Sequence, residues 1–231
     1  MKDQYFGDIN DYLKYGMLRY FAEAGFSIGV CWMMTPNDAR TDGRKIEYLA
    51  DSARWRGYDP KLFDSLAEAV KRQRGVHQIQ NFQMLPNCSF CTDVVPDSQP
   101  LRNRWLIRAL RKLSGVDLLF FDPDNGIEVR STPIGNRGSS KFLYWHEIEK
   151  AWAQECALLI FQHFPRQNRA EYVSRLVSEL SKHVLGGHVV PLITSNVVYL
   201  LAYPQRHKTK ARSAVDTIFK TWMGQIWTPI S

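Results

Sequence analysis

The sequence predicts an α/β fold: a Rossmann-like, mostly parallel twisted sheet with helices on both faces and a C-terminal antiparallel hairpin. Three observations carry this expectation. Apolar runs at 26–34 (FSIGVCWMM), 117–121 (DLLFF) and 157–163 (ALLIFQH) lack polar alternation, as strands covered on both faces do. Segments with helical apolar spacing alternate with them, which is the order of a parallel sheet flanked by helices. The last two apolar runs, 188–194 and 197–203, are separated only by Ser195-Asn196, the spacing of a hairpin.

Taken in order, residues 9–24 read as a helix because Tyr12, Leu13, Met17, Leu18, Tyr20 and Phe21 recur at helical spacing and Gly25 ends the run. Residues 26–34 form the first buried strand. A polar turn-rich segment, 35–43, follows. Helical stretches are expected over about 44–54 and 60–74, the second with Asp59 as cap and Pro60 at its first position. Residues 89–95 read as a short strand, and 100–113 as a basic helix carrying Arg102, Arg104, Arg108, Arg111 and Lys112. After the strand at 117–121, residues 130–140 read as loop, 142–155 as helix and 157–163 as strand. The stripe Tyr172, Leu176, Val177 and Leu180 marks a helix over 168–185, closed by Gly186-Gly187. A last helix is expected from about 211 to 223. No linker divides the chain, so residues 1–231 are expected to form a single domain.

At 231 residues the chain is long enough to bury one sizeable core. Its formal net charge of +7 favours polyanionic partners, DNA or RNA first, although a solvated basic surface has the same composition. No signal peptide is visible at Met1-Lys2-Asp3-Gln4, and no apolar run reaches the roughly 18 residues of a membrane span. With four cysteines and no leader, a reducing cytoplasm is the expected location and no membrane partner is expected. Oligomeric state is not legible. Cys88-x-x-Cys91 is half of a zinc site, with His77 upstream and no second pair. Phosphate-loop and nucleophile-elbow motifs are absent.

Ligands of open α/β sheets bind outside the carboxyl ends of the strands. Three expected strand ends offer polar groups to that edge: Asn37 and Asp38 after the first strand; Asp122, Pro123, Asp124 and Asn125 after the strand at 117–121; His163 and Arg166 after the strand at 157–163. Each has a plainer reading. Asp-Pro-Asp-Asn-Gly is good turn chemistry, Asn37-Asp38 is a good helix cap, and a histidine ending an apolar strand is often structural.

The strand ending in Asp122-Pro123-Asp124-Asn125 resembles the Asp/Asn-Pro-Pro-Tyr/Phe motif of class I S-adenosylmethionine-dependent methyltransferases that act on exocyclic amines. Asp124 stands at the second proline and Asn125 at the aromatic position. The order of motif strand, helix, strand, helix and terminal hairpin is also similar. The segment Gly7-Asp8-Ile9-Asn10-Asp11-Tyr12-Leu13-Lys14-Tyr15 resembles the Asn-x-Ala-Asp-x-x-Lys-His start of bacterial ribosomal RNA adenine methyltransferases. The resemblance implies S-adenosylmethionine as cofactor, in a pocket lined by Asn37, Asp38 and the segment around Asp8 to Lys14. It implies that Asp122 and the Pro123 carbonyl orient a target amine on nucleic acid, with Asn125 adding a hydrogen bond. His163 and Arg166 would face the substrate, and Lys141 would contact it. Where that family has a glycine-rich loop after its first strand, this chain has Met33-Met34-Thr35-Pro36-Asn37. The set QYFGDINDY, DPDNG and QHFPR is also similar to a bacterial family of unassigned function.

Two other readings use the same residues. Asp122, Asp124 and Glu128 place three hard oxygen ligands within seven residues, suited to Mg²⁺ in a nuclease or phosphohydrolase, with Lys141 on a phosphoryl charge and His163 as general base. A methyltransferase-like domain without cofactor could instead serve as a non-catalytic nucleic-acid-binding module.

Overall fold

The computed structural model describes residues 1–37 and 45–229. Helix α1 (Ile9–Glu23) is followed by strand β1 (Ile28–Cys31), helices α2 (Ser52–Trp55), α3 (Pro60–Arg72) and α4 (Gln78–Asn81), and strand β2 (Cys88–Cys91). Helix α5 (Gln99–Lys112) leads into β3 (Leu118–Phe121), then two short strands, β4 (Gly126–Ile127) and β5 (Phe142–Leu143), and helix α6 (Trp145–Trp152). Strand β6 (Ala157–His163), helix α7 (Arg169–His183), the hairpin β7 (His188–Ile193) and β8 (Val197–Tyr203), and helix α8 (Lys208–Thr221) complete the order.

Local chemistry sets these limits. Asp8 caps α1 by accepting the Asp11 N–H, and Gly25, at φ +87°, turns the chain out of it in the left-handed region. Asp59 caps α3 through the Leu62 N–H, with Pro60 in the first turn. The expected helix over 44–54 is instead a 3-10 turn (Glu47–Ala50) followed by the four-residue α2, since Asp51 interrupts it as a second cap. Residues 142–143 pair with 126–127 as a small parallel ladder, so α6 begins three residues later than its apolar spacing suggests.

The main sheet runs β2-β1-β3-β6-β8-β7. The first four strands are mutually parallel, in register from Ile28↔Cys88 through Ile28↔Leu118 to Leu118↔Ala157. The hairpin supplies the antiparallel element from inside the sheet. Its second strand, β8, inserts beside β6, with Leu159 opposite Leu201, and β7 becomes the edge. Part of that edge is closed by Trp227, which exchanges both backbone hydrogen bonds with Ile193.

Alternate side chains of each strand serve two cores. Ile28, Val30, Leu118, Phe120, Leu159 and Leu201 pack under α1, α3 and α8; Cys31, Leu119, Phe121, Leu158, Ile160 and Leu200 pack under α5, α6 and α7. With nearly every central position fully buried, each large side chain contributes about 1.5–3 kcal/mol of hydrophobic stabilisation. Period-two alternation also sends Cys88 and Cys91, three residues apart, to opposite cores, so they do not form one zinc-binding pair. No helix among the described residues is long and apolar enough to cross a membrane.

From β1 the chain crosses to β2 on one side, while β3 joins β1 on the other. Connections therefore diverge between β1 and β3, and the crevice at their carboxyl ends is the switch point at which such sheets bind ligands.

Candidate functional site

A cavity of about 430 Å³ opens at this switch point. It gathers Asp8, Lys14, Asp122, Pro123, Asp124, Asn125, Lys141 and His163 from the expected residues. Asp38 lies outside the described residues. Asn37 stands apart from the lining, its Oδ1 accepting the Gln4 N–H at 3.4 Å on the surface. Arg166 is exposed on the loop after β6, also outside the lining.

The floor is a buried network of charges. The Lys14 ammonium lies 2.7 Å from Asp122 Oδ2 and 2.8 Å from Asp11 Oδ1, with lysine and carboxylates almost wholly removed from water. The rings of Tyr15, Trp32, Phe120 and Phe161 surround the same nitrogen at 5.5–6.0 Å. Burial alone would discharge this lysine, but the charges of Asp11 and Asp122 more than offset it and hold its pKa above the ordinary value. Lys14 is therefore a fixed cation shared by two carboxylates and is unsuited to act as a base. Asp11 also accepts the Gly7 N–H at 2.8 Å, tying the turn before α1 to the same cluster.

Asp8 serves two purposes. Its Oδ1 caps α1, and its side chain faces the cavity. Burial, reinforced by the nearby Asp11 charge and opposed by Lys14, raises its pKa to about 7. His163 is exposed at the end of β6 with its ring edge-on to Phe161, and the protein packed behind it lowers its pKa against the pull of Asp122 and Asp124.

Asp124 turns back towards the N-terminal segment. Its Oδ2 accepts from Thr35 Oγ1 at 3.3 Å and lies 3.4 Å from the Lys2 ammonium, whereas its Oδ1 is buried with no partner. Asn10 Oδ1, which belongs to another residue of the lining, is likewise buried and unpaired. Both residues line the cavity, and a buried acceptor left without a donor is costly.

The carboxyl end of β1 makes its turn without glycine. Met33 adopts φ +46°, and its carbonyl, like that of Asp122, accepts from the Met1 nitrogen at 3.1 Å. Met34 then continues a parallel bridge with Val94. Glu128 points away from Asp122 and Asp124, because its Oε2 accepts the Trp145 N–H at the start of α6. The three carboxylates thus do not converge, and among the described residues no group of three His, Cys, Asp or Glu side chains could hold a metal ion. The donor set does not fit the Mg²⁺ reading.

Sequence reasoning missed Lys2, Tyr5, Phe161 and Phe164, which line the cavity together with Asn10 and Asp11 of the segment Asp8 to Lys14. Tyr5, Phe161 and Phe164 bring to this space the aromatic surface that Asn125 does not provide in the motif itself. Only Asn10 and Asp11 carried a local signal, through the resemblance around Gly7–Tyr15. On the basic helix one residue stands apart from the rest: Arg102 is fully buried and paired with Glu147.

Compared with known protein families the chain matches no family model, and compared with curated proteins it finds no match.

Proposed function

We propose that the protein is a methyltransferase-like enzyme that modifies an exocyclic amine of a nucleic-acid base, with S-adenosylmethionine as methyl donor. The observation that carries this reading is a cavity at the carboxyl end of the motif strand, two of whose lining residues, Asp124 and Asn10, each hold a buried acceptor without a partner. An amine or a cationic ligand supplies the donors that these atoms lack. The parallel strands, the interior antiparallel strand and the place of Asp122-Pro123-Asp124-Asn125 beside the switch point are compatible with it.

The residues present fit the cofactor. Four carboxylates, Asp8, Asp11, Asp122 and Asp124, stand beside four lysines, Lys2, Lys14, Lys45 and Lys141, and the Met1 ammonium, a lining of both charges that suits a ligand bearing an ammonium and a carboxylate. The cofactor would be held by Asp8, Asn10 and the Asp11–Lys14 pair, and it would supply an electrophilic methyl group. The chain's own part is orientation and proton handling. Asp122 is fixed by Lys14, and with the Pro123 carbonyl and Asp124 Oδ1 it orients the amine, while Asn125 adds a hydrogen bond. A ring nitrogen of neutral His163 takes up the proton that the amine sheds, a role favoured by its lowered pKa.

The test is transfer of isotopically labelled methyl from S-adenosylmethionine to single-stranded RNA and DNA, followed by digestion to nucleosides. Label on an exocyclic nitrogen, lost in Asp122→Ala, is the expected result. Absence of label with the folded protein would overturn the reading.

A further inference from the structure

Charge is segregated around the cavity. The acids lie on its floor, whereas the loops at its edge are basic. The segment between β4 and β5 carries Arg130, Arg137 and Lys141, and its one acid, Glu128, is engaged at the start of α6. The segment from β6 into α7 carries Arg166 and Arg169 and no acid before Glu171. Arg130, Arg137 and Arg166 are exposed, and none forms an ion pair with a described residue. The second segment leaves the carboxyl end of β6, at the edge onto which the cavity opens, and the first ends at Lys141, which lines the cavity. Phe164 lines the cavity and is half-buried, with the Arg169 guanidinium 4.8 Å over its ring and Tyr172 packed against it at 6.3 Å.

We propose that this edge is the binding surface for a single-stranded nucleic acid, with Arg130, Arg137 and Arg166 on its phosphates and Phe164 stacked on a base beside the one that enters the cavity. This rests on the reading of the cavity as an amine site of nucleic acid. An arginine-rich rim next to an aromatic ring is the usual physical basis of single-strand binding, because phosphates give affinity and every base has a face to stack. The acceptors on the floor require an unstacked base, which a single strand yields at the lowest cost. Asp124 and Asn10 are each only 9% exposed, so a base must leave its stack to reach them. Two other basic faces compete: Arg104, Arg108 and Arg111 on α5, and Lys208, Arg212 and Lys220 on α8. They flank opposite faces of the sheet. On α8, Asp216 sits one turn from both Arg212 and Lys220 and reduces the local charge.

The experiment is fluorescence anisotropy of a labelled single-stranded oligonucleotide, as RNA and as DNA, titrated with the full chain over a range of salt. The triple variant Arg130→Ala, Arg137→Ala, Arg166→Ala is expected to bind at least about tenfold more weakly and to flatten the slope of log affinity against log salt by about 2, at roughly 0.7 per phosphate contact. The variant Lys208→Ala, Arg212→Ala, Lys220→Ala is expected to stay within about twofold of wild type. A duplex of the same sequence is expected to bind more weakly than the single strand. Unchanged binding in the rim variant, an equal loss in the α8 variant, or equal binding of duplex would each overturn the proposal. Its failure is separable from failure of the enzymatic reading. Rim-dependent binding without methyl transfer removes only the latter, whereas methyl transfer with rim-independent binding removes only the former.

Discussion

Gly126 has no room for a side chain. Its φ is +101°, and a Cβ there would stand 2.3 Å from Gln162 Oε1, which accepts the Ile127 N–H. Gly126→Ala therefore combines left-handed strain with overpacking and is expected to cost roughly 2–4 kcal/mol in urea unfolding. A loss below 1 kcal/mol would show that β6 and this turn are not held together as described. In Asp-Pro-Asp-Asn-Gly the glycine is required by the turn, and the polar residues before it line the cavity. Asp8 provides a second test. Its pKa is raised to about 7 in the folded chain, so the folded state holds a proton that the unfolded state releases near pH 4. The stability associated with Asp8 is full below pH 4 and is lost as pH rises towards 7. Asp8→Asn keeps the cap on Asp11 and removes the titration. The variant is expected to gain stability relative to wild type between pH 4.5 and pH 8 in denaturant midpoints; a constant difference across that range would contradict the assignment.

Between elements, two buried lysine or arginine clusters tie the edge of the sheet to its helices. Lys14 joins α1 to the end of β3. Arg102 joins α5 to the start of α6: it pairs with Glu147 at 2.7 Å, donates to the Ser139 and Phe142 carbonyls, and lies 4.9 Å over the Tyr144 ring. Glu147 in turn accepts the Tyr144 N–H. Arg102→Met strands a buried carboxylate and is expected to cost about 3–5 kcal/mol, part of which returns in the double variant with Glu147→Leu. A double variant as unstable as the sum of the two single ones would contradict a shared network. None of this was legible from the basic helix, because helical spacing gives the face of a residue only once the partner helix is known. Arg102 falls on the same stripe as Trp105, Leu106 and Ala109, all buried. Conversely, the strands at 117–121 and 157–163 and the helix of α7 were read to within a residue or two, since continuous apolar runs and a strong stripe leave few alternatives.

At the scale of the molecule, the parallel sheet and the carboxyl edge followed from the alternation of apolar strands and helices, and that edge placed eight of the expected site residues in one cavity. The rest depended on long-range pairing. Nothing local indicates that Lys14 pairs with Asp122, 108 positions away, or that β8 lies inside the hairpin's edge. Glu128 shows the limit from the other side: a spacing that suggested a third metal ligand is overridden by the unsatisfied N–H groups of a helix start. The central claim is that the cavity at the switch point receives S-adenosylmethionine. Calorimetric titration of the purified chain with S-adenosylmethionine tests it most directly. Saturable heat at a single site per chain, abolished in Asp122→Ala with the fold retained, is the predicted result; no heat with the folded wild-type protein would contradict it.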